Sequence, residues 1–126
     1  MPYLIDSDIL IDVSRGKESA RDYLDSLPTG WGISHISALE LIVGARDKSD
    51  LAQLDLFLGA YVILPLREAI GFRAYELVKS YAKSHGLHVF DALIAATAIE
   101  EGLILVTKNR KYFATIDRLM LEVPPC

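Results

Sequence analysis

The feature that most constrains this chain is an alternation of very short apolar segments with longer segments of helical periodicity. Short apolar runs that contain few polar residues predict strands that are buried on both faces. The predicted strands cover residues 3–5, 31–34, 61–63, 103–106 and 119–123. The predicted helices cover residues 7–14, 18–27, 37–45, 48–59, 70–86 and 89–101. This order predicts an α/β domain with a mostly parallel sheet that helices cover on both faces.

Length and composition fit a single compact domain over residues 1–126. Hydrophobic residues make up 52% of the chain, yet no apolar run approaches the roughly 20 residues of a membrane span, so we expect no membrane partner. Cys126 is the only cysteine, so no internal disulfide can form, which agrees with a cytoplasmic location. The net charge of −4 argues against a general nucleic-acid coat but allows a local basic rim beside an acidic site.

Four polar side chains lie where the predicted strands end or the predicted helices begin. Asp6 directly follows the first strand, and Asn109 follows the fourth. Glu40 and Asp91 lie in the first turns of predicted helices, one after the second strand and one before the fourth. In a parallel α/β sheet, strand ends and the N-termini of the returning helices share the edge where ligands bind. We therefore expect these four side chains to converge there.

Two of these acids also have a purely structural interpretation. Asp6 could cap the helix that follows it, although Ser7 and Asp8 are the predicted N-cap candidates. Glu40 follows Ser37 by three residues, which is the spacing of a capping box. On position alone, both acids could therefore serve the ends of helices.

The remaining candidates can be weighed in the same way. Asp91 could favour a helix dipole, but its apolar flanks argue against a simple surface cap. Asn109 alone is typical of a turn. Asp8 and Asp12 are four residues apart and share one face of the predicted first helix. Asp8 could join the cluster, whereas Asp12 is expected to be solvated or to support it.

A cluster of carboxylates at this edge would need a counter-charge. Neighbouring carboxylates in surroundings poor in water raise each other's pKa and oppose folding, and a divalent cation removes that conflict. Oxygen ligands without histidine or thiolate suit Mg²⁺ or Mn²⁺ rather than zinc. Such a site can activate a water molecule and offset the charge of a phosphodiester during in-line displacement.

Four segments of the chain together resemble a known family. They are residues 3–11 (YLIDSDILI), 36–45 (ISALELIVGA), 91–98 (DALIAATA) and 105–109 (LVTKN), with Phe113 after the last. In order and spacing they resemble the PIN-domain family, and most of all the VapC-type toxins of toxin–antitoxin pairs. The resemblance spans nearly the whole chain.

This resemblance implies a three-layer α/β/α PIN-like fold with strand order 3-2-1-4-5. It implies a metal-dependent endoribonuclease that hydrolyses RNA phosphodiester bonds with a metal-activated water. It also implies a homodimer and a cognate VapB-like antitoxin whose tail enters the active-site groove. The implied site contains the metal ligands Asp6, Glu40 and Asp91, the fourth position Asn109, and the supporting residues Ser7 and Thr107.

Two positions depart from the family pattern. Many members have aspartate where this chain has Asn109, so a second metal ion would be held weakly or only with help from substrate phosphate. The acid that often precedes the phenylalanine of the last motif is Tyr112 here. Asp8 is the residue that could compensate for the missing charge.

Basic side chains are expected beside the acidic site. Lys108, Arg110 and Lys111 flank Asn109 and are candidates for binding RNA phosphates, although an ordinary solvated turn would have the same composition. The predicted helices over 18–27 and 48–59 could form a groove for an amphipathic partner helix, or their apolar stripes could belong to the core.

Other classes of protein share parts of this pattern. The opening LIDSDIL resembles the Asp-x-Asp motif of haloacid-dehalogenase phosphatases, but Leu10 replaces the Thr or Val of that motif and the late acidic pair is absent. A response-regulator receiver domain needs an aspartate at the end of its third strand, and the segment 61–63 continues into Leu64 and Pro65 instead. A non-catalytic PIN-like module that binds RNA or protein remains the alternative function.

Overall fold

The structure is a computed structural model that describes residues 2–28 and 30–126. The strands are β1 (Tyr3–Ile5), β2 (Trp31–Ser34), β3 (Val62–Leu64), β4 (Ile104–Val106) and β5 (Met120–Glu122). The helices are α1 (Ser7–Ser14), α2 (Glu18–Ser26), α3 (His35–Val43), α4 (Lys48–Leu58), α5 (Glu68–His85), α6 (Val89–Glu101) and α7 (Arg110–Phe113). Within the described part of the chain, no helix is long and apolar enough to cross a membrane.

The five strands form one parallel sheet in the order β3-β2-β1-β4-β5. β1 is the central strand, and its last residue, Ile5, pairs with Val106 at the end of β4. On the other side of β1, Leu4 pairs with Gly32 of β2. Because all strands are parallel, the residues that follow β1, β2 and β4 lie along the same edge. The predicted parallel sheet and its strand order are confirmed.

Helices cover both faces of the sheet, as predicted. One buried cluster joins the sheet to α5, α6 and α7, and it contains Leu4, Leu105 and Phe113. The other joins the sheet to α1, α2 and α4, and it contains Ile5 and Val106. Helix α3 contributes residues to both clusters. Successive residues of β1 and β4 thus point to opposite faces. Each of these strands contributes side chains to both buried clusters and is therefore apolar throughout.

Several element boundaries differ from the prediction. Helix α3 begins at His35, two residues early, because the Ser34 hydroxyl caps it by accepting a hydrogen bond from the Ser37 N–H at 3.0 Å. The predicted capping box that begins at Ser37 is therefore wrong. The third strand lies one residue later than predicted, and α7 was not predicted.

The cap of α1 agrees with the structural interpretation of Asp6. Ser7 and Asp8 were the other candidates, but both belong to the helix itself. Asp6 is the N-cap, and its Oδ1 accepts a hydrogen bond from the Ser7 N–H at 2.8 Å. The reason is that β1 ends at Ile5 and α1 begins at Ser7, which leaves one residue for the transition.

Candidate active site

The ends of β1 and β4 bring Asp6 and Thr107 into direct contact. The Thr107 hydroxyl donates a hydrogen bond to Asp6 Oδ2 at 2.7 Å, and both side chains are buried. The same hydroxyl oxygen accepts a hydrogen bond from the Asn109 N–H at 3.0 Å. Asp6 therefore caps a helix with one carboxylate oxygen and binds the neighbouring strand end with the other.

Asp8 lies beside this pair and fixes the loop that follows β4. Its Oδ2 accepts a hydrogen bond from the Lys108 N–H at 2.9 Å and lies 3.3 Å from the Thr107 hydroxyl. Its Oδ1 accepts a hydrogen bond from the Ile9 N–H at 2.7 Å. Asp8 thus joins the cluster that contains Asp6.

Glu40 reaches the same edge from α3. It lies in the second turn of α3 rather than the first, because that helix begins earlier than predicted. The Ser7 hydroxyl donates a hydrogen bond to Glu40 Oε1 at 3.3 Å. Ser7 thereby connects the beginning of α1 to the Glu40 carboxylate.

Asp91 completes the acidic group from the first turn of α6. It is half-buried, and burial raises its pKa; the pKa of Glu40 is raised mainly by burial and also by the charge of Asp91. His88, one turn earlier, acts in the opposite direction and favours the charged form of Asp91. The structure therefore brings all four acids, Asp6, Asp8, Glu40 and Asp91, to one edge of the sheet.

Burial raises the pKa of every carboxyl group in this cluster, and repulsion from neighbouring carboxylates adds to the shift at Asp6 and Glu40. The pKa of Asp6 is raised from 3.8 to about 7, mainly because the side chain is removed from water and also because of the charge of Asp8. Burial likewise raises the pKa values of Asp8, Glu40 and Asp91. A site that holds its carboxylates at this electrostatic cost is typical of a functional centre that binds a cation.

The donor set fits Mg²⁺ or Mn²⁺ in chemistry. All four acids offer hard oxygen ligands, which these ions prefer. Over residues 2–28 and 30–126, no three His, Cys, Asp or Glu side chains are arranged as a ready-made metal cage. This is compatible with Mg²⁺, because that ion usually keeps several water ligands and takes only one or two carboxylates from the protein.

The predicted basic residues fall into two groups. Lys108 forms an ion pair with Asp12, which also pairs with Lys17 at 3.6 Å. Arg110 and Lys111 lie in α7 with exposed side chains. The Asp12 pairs are a feature that sequence reasoning missed, and the four-residue spacing of Asp8 and Asp12 was the available signal.

Asn109 is exposed and is the N-cap residue of α7, although its side chain forms no capping hydrogen bond. It follows Thr107, whose hydroxyl holds its N–H at the site edge. The structure thus puts Asn109 beside the cluster by its backbone.

A parallel sheet of this order with acids at its carboxyl edge is the arrangement that the resemblance to PIN domains implied. The PIN-domain family model matches residues 3–119, and the chain belongs to that family. Its sequence is 36% identical over 119 residues to Ribonuclease VapC10 of Mycobacterium tuberculosis, and the match covers 92% of this chain and 89% of that protein.

Solved structures agree with this assignment. A toxin–antitoxin complex from Klebsiella pneumoniae contains a chain that matches this fold with a TM-score of 0.81 at 31% identity, over 97% of both chains. VapBC2 from Rickettsia felis, bound to a DNA fragment from their promoter, matches with a TM-score of 0.85 at 29% identity, over 98% of both chains.

Proposed function

We propose that this chain is an endoribonuclease and the toxin component of a VapBC-like toxin–antitoxin system. The observation that supports this most directly is the acidic cluster at the carboxyl edge of a PIN fold. The similarity to Ribonuclease VapC10 supports the ribonuclease activity, and the similarity to toxin–antitoxin complexes supports a VapB-like antitoxin as partner. We further propose that residues 1–126 form a single catalytic domain that acts in the cytoplasm as a homodimer.

In this proposal, Asp6, Glu40 and Asp91 would hold Mg²⁺ or Mn²⁺, one or two of them directly and the others through water molecules that the ion keeps. When bound, the ion supplies an activated water and offsets the negative charge of the phosphodiester. Ser7 and Thr107 orient two of the ligands, since their hydroxyls donate hydrogen bonds to Glu40 and Asp6. Hydrogen bonds from residues behind the ligands fix the geometry of a metal site in this way.

Four further side chains would surround the reacting phosphate. Asp8 adds negative charge next to Asp6, and Asn109 offers a neutral oxygen at the fourth position of the site. Arg110 and Lys111 are exposed beside them and would bind RNA phosphates. Lys108 is engaged by Asp12, so we expect it to contribute less to RNA binding than its two neighbours.

The deciding experiment is cleavage of total cellular RNA by the purified protein without antitoxin. We expect discrete fragments with Mg²⁺ or Mn²⁺, none with EDTA, and none from the Asp91→Asn variant. Asp25→Asn is the matched control, because Asp25 is an exposed acid of α2 outside the cluster. Intact RNA in every lane from folded protein would reject the nuclease and favour the non-catalytic binding module, for which the neutral Asn109 is the supporting feature.

A carboxylate at position 109, where many family members have aspartate, should strengthen metal binding. We expect Asn109→Asp to tighten Mn²⁺ binding by about three- to tenfold, because an added carboxylate increases the negative charge of the site. Isothermal titration with Mn²⁺ measures this, and Asn109→Ala is the control that removes the side-chain oxygen without adding charge. An affinity of Asn109→Asp equal to or below that of the parent would contradict a ligand role for this position.

A further inference from the structure

A second concave site adjoins the acidic cluster. A pocket of about 520 Å³ lies between α1, α3 and α4, and Glu40 lines it. This volume is within the range of about 300–1,000 Å³ that is usual for sites that bind small organic groups. Glu40 belongs to both the pocket and the cluster. A polymeric ligand bound at the cluster can therefore extend directly into the pocket. Helix α2, predicted to form a groove with α4, contributes no residue to it.

Two arginines line the mouth of this pocket. Arg15 directly follows α1, and Arg46 precedes α4 with a side chain that is 84% exposed. Asp50 accepts hydrogen bonds from the Arg46 N–H at 2.9 Å and from its Nε at 3.4 Å. Asp50 thus orients the Arg46 guanidinium from the pocket wall. The pKa of Asp50 is lowered, mainly by the hydrogen bond from the Arg46 backbone N–H and to a smaller extent by the charges of Arg46 and Arg15. Arg46 stays mostly exposed despite its contact with Asp50, unlike the less exposed Lys108 beside Asp12, and Arg15 is exposed too, so both guanidinium groups are available to contact phosphate.

The wall that α4 contributes to the pocket combines an exposed amide with a half-buried aromatic ring. Gln53 and Phe57 are four residues apart on α4, so they lie on one face of that helix, and both line the pocket. The Phe57 ring is half-buried and packs edge-on against Tyr61 with centroids 5.1 Å apart, which fixes its orientation. An amide has a donor and an acceptor that can recognise a base edge, and an aromatic ring offers a stacking surface.

We propose that this pocket is a subsite for one unpaired nucleotide of the RNA, next to the bond that is cleaved. Its phosphate binds Arg15 and Arg46, and its base lies against Phe57 and is recognised by Gln53. The inference rests on the proposed ribonuclease function and adds a determinant of sequence preference to it. Cations at the mouth with an aromatic ring inside are the combination by which proteins bind single-stranded nucleic acid, which favours RNA over a protein ligand here.

Cut-site sequencing tests the base contact. An RNA with a randomised segment is cleaved by the parent protein, by Gln53→Ala and by Asp55→Asn, and the new ends are sequenced. We expect the parent to prefer one base at a position beside the cut and Gln53→Ala to lose that preference by about fivefold or more. Asp55→Asn should keep the parent profile, because Asp55 is exposed on the same helix and does not line the pocket. Identical profiles from the parent and Gln53→Ala would overturn the base contact.

Equilibrium binding tests the phosphate contacts without requiring cleavage. Fluorescently labelled single-stranded RNA is titrated with the Asp91→Asn protein, alone or combined with Arg15→Ala, Arg46→Ala or the control Arg21→Ala. We expect each pocket variant to weaken RNA binding by about three- to tenfold. The slope of the logarithm of affinity against the logarithm of salt concentration should also become shallower, by the amount that corresponds to about one lost phosphate contact. Arg21 is exposed on α2 outside the pocket. Adding Arg21→Ala to Asp91→Asn should therefore change RNA affinity less than adding Arg15→Ala or Arg46→Ala does.

The two proposals fail in different ways. Absence of metal-dependent cleavage by the parent protein would reject the ribonuclease, whereas the binding assay would still test the pocket. Cleavage by the parent together with unchanged RNA affinity in both arginine variants would overturn the subsite alone. In that case a protein ligand becomes the occupant to test, with antitoxin binding measured on the same variants.

Discussion

Replacing Asp6 with asparagine is expected to stabilise the metal-free protein at pH 8 by about 2–4 kcal/mol while reducing RNA cleavage below detection. The gain in stability has an electrostatic origin, because the pKa of Asp6 is raised from 3.8 to about 7 by burial and by the charge of Asp8. That difference corresponds to about 4 kcal/mol of unfavourable free energy when the buried carboxyl is ionised. A neutral amide avoids this cost but cannot supply the negative charge that a metal ligand needs.

The local hydrogen bonds are compatible with this substitution. The amide oxygen can still accept the hydrogen bond from the Ser7 N–H, so the N-cap of α1 is preserved. The amide nitrogen can donate to the Thr107 hydroxyl, which is then free to donate its own proton to Asp8. The stability change therefore reports mainly the charge of Asp6.

The pH dependence of the free energy of unfolding gives independent evidence for the sign of the Asp6 contribution. Between pH 4 and 7, folded Asp6 binds a proton that the unfolded chain has already released, so the free energy of unfolding falls as pH rises through this range. Asp6→Asn removes this contribution, and the slope should be shallower. Because Asp8, Glu40 and Asp91 also have raised pKa values, part of the slope should remain.

Urea denaturation in EDTA at several pH values measures these effects. Asp25→Asn serves as the control, because Asp25 is an exposed acid of α2 outside the cluster. Added Mn²⁺ should stabilise the parent protein and have less effect on Asp6→Asn, because the ion binds the folded site. A variant that is less stable than the parent at pH 8 would show that Asp6 is not held against an electrostatic cost.

The position of the acids was predictable because it follows from topology. Asp6 comes directly after a strand that is apolar throughout, and Asp91 opens a helix, so a parallel sheet places both at its carboxyl edge. The strand order itself did not follow from the residue pattern and came from the family resemblance. Contact between Asp6 and Thr107 depends on that order, because β1 and β4 are adjacent in the sheet although 101 positions separate the two residues.

The features that sequence reasoning missed depend on side-chain competition and helix packing. Ser34 and Ser37 are both good helix caps, and their hydroxyls lie 3.2 Å apart, so spacing alone could not identify which one begins α3. The pocket needs three helices to diverge at a particular angle. Arg15 and Gln53 meet there only through that packing, and neither belongs to a motif in the sequence.

Removing the hydroxyl of Thr107 is expected to cost about 1–3 kcal/mol of stability and to reduce RNA cleavage by about 10- to 100-fold. Thr107→Val keeps the shape of a fully buried side chain but removes its donor to Asp6 and its acceptor for the Asn109 N–H. Asp6 then loses a hydrogen bond at a buried position, which carries most of the cost, whereas Asn109 is exposed. The hydrogen bond from Thr107 also lowers the pKa of Asp6, so its loss should raise that pKa further.

Thr107→Ser separates the hydroxyl from the rest of the side chain. It retains the donor and the acceptor and deletes one buried methyl group, so we expect a stability loss of about 1 kcal/mol with cleavage near the parent level. The pH profile distinguishes positioning from mere stability, because only the valine variant should need a higher pH to reach half of its maximal cleavage rate. Equal cleavage and equal pH profiles in the valine and serine variants would show that the hydroxyl does not orient Asp6. A loss confined to valine would mean that a buried hydroxyl directly after β4 controls a carboxylate directly after β1, and that the short central strands position the candidate active site as well as forming the core.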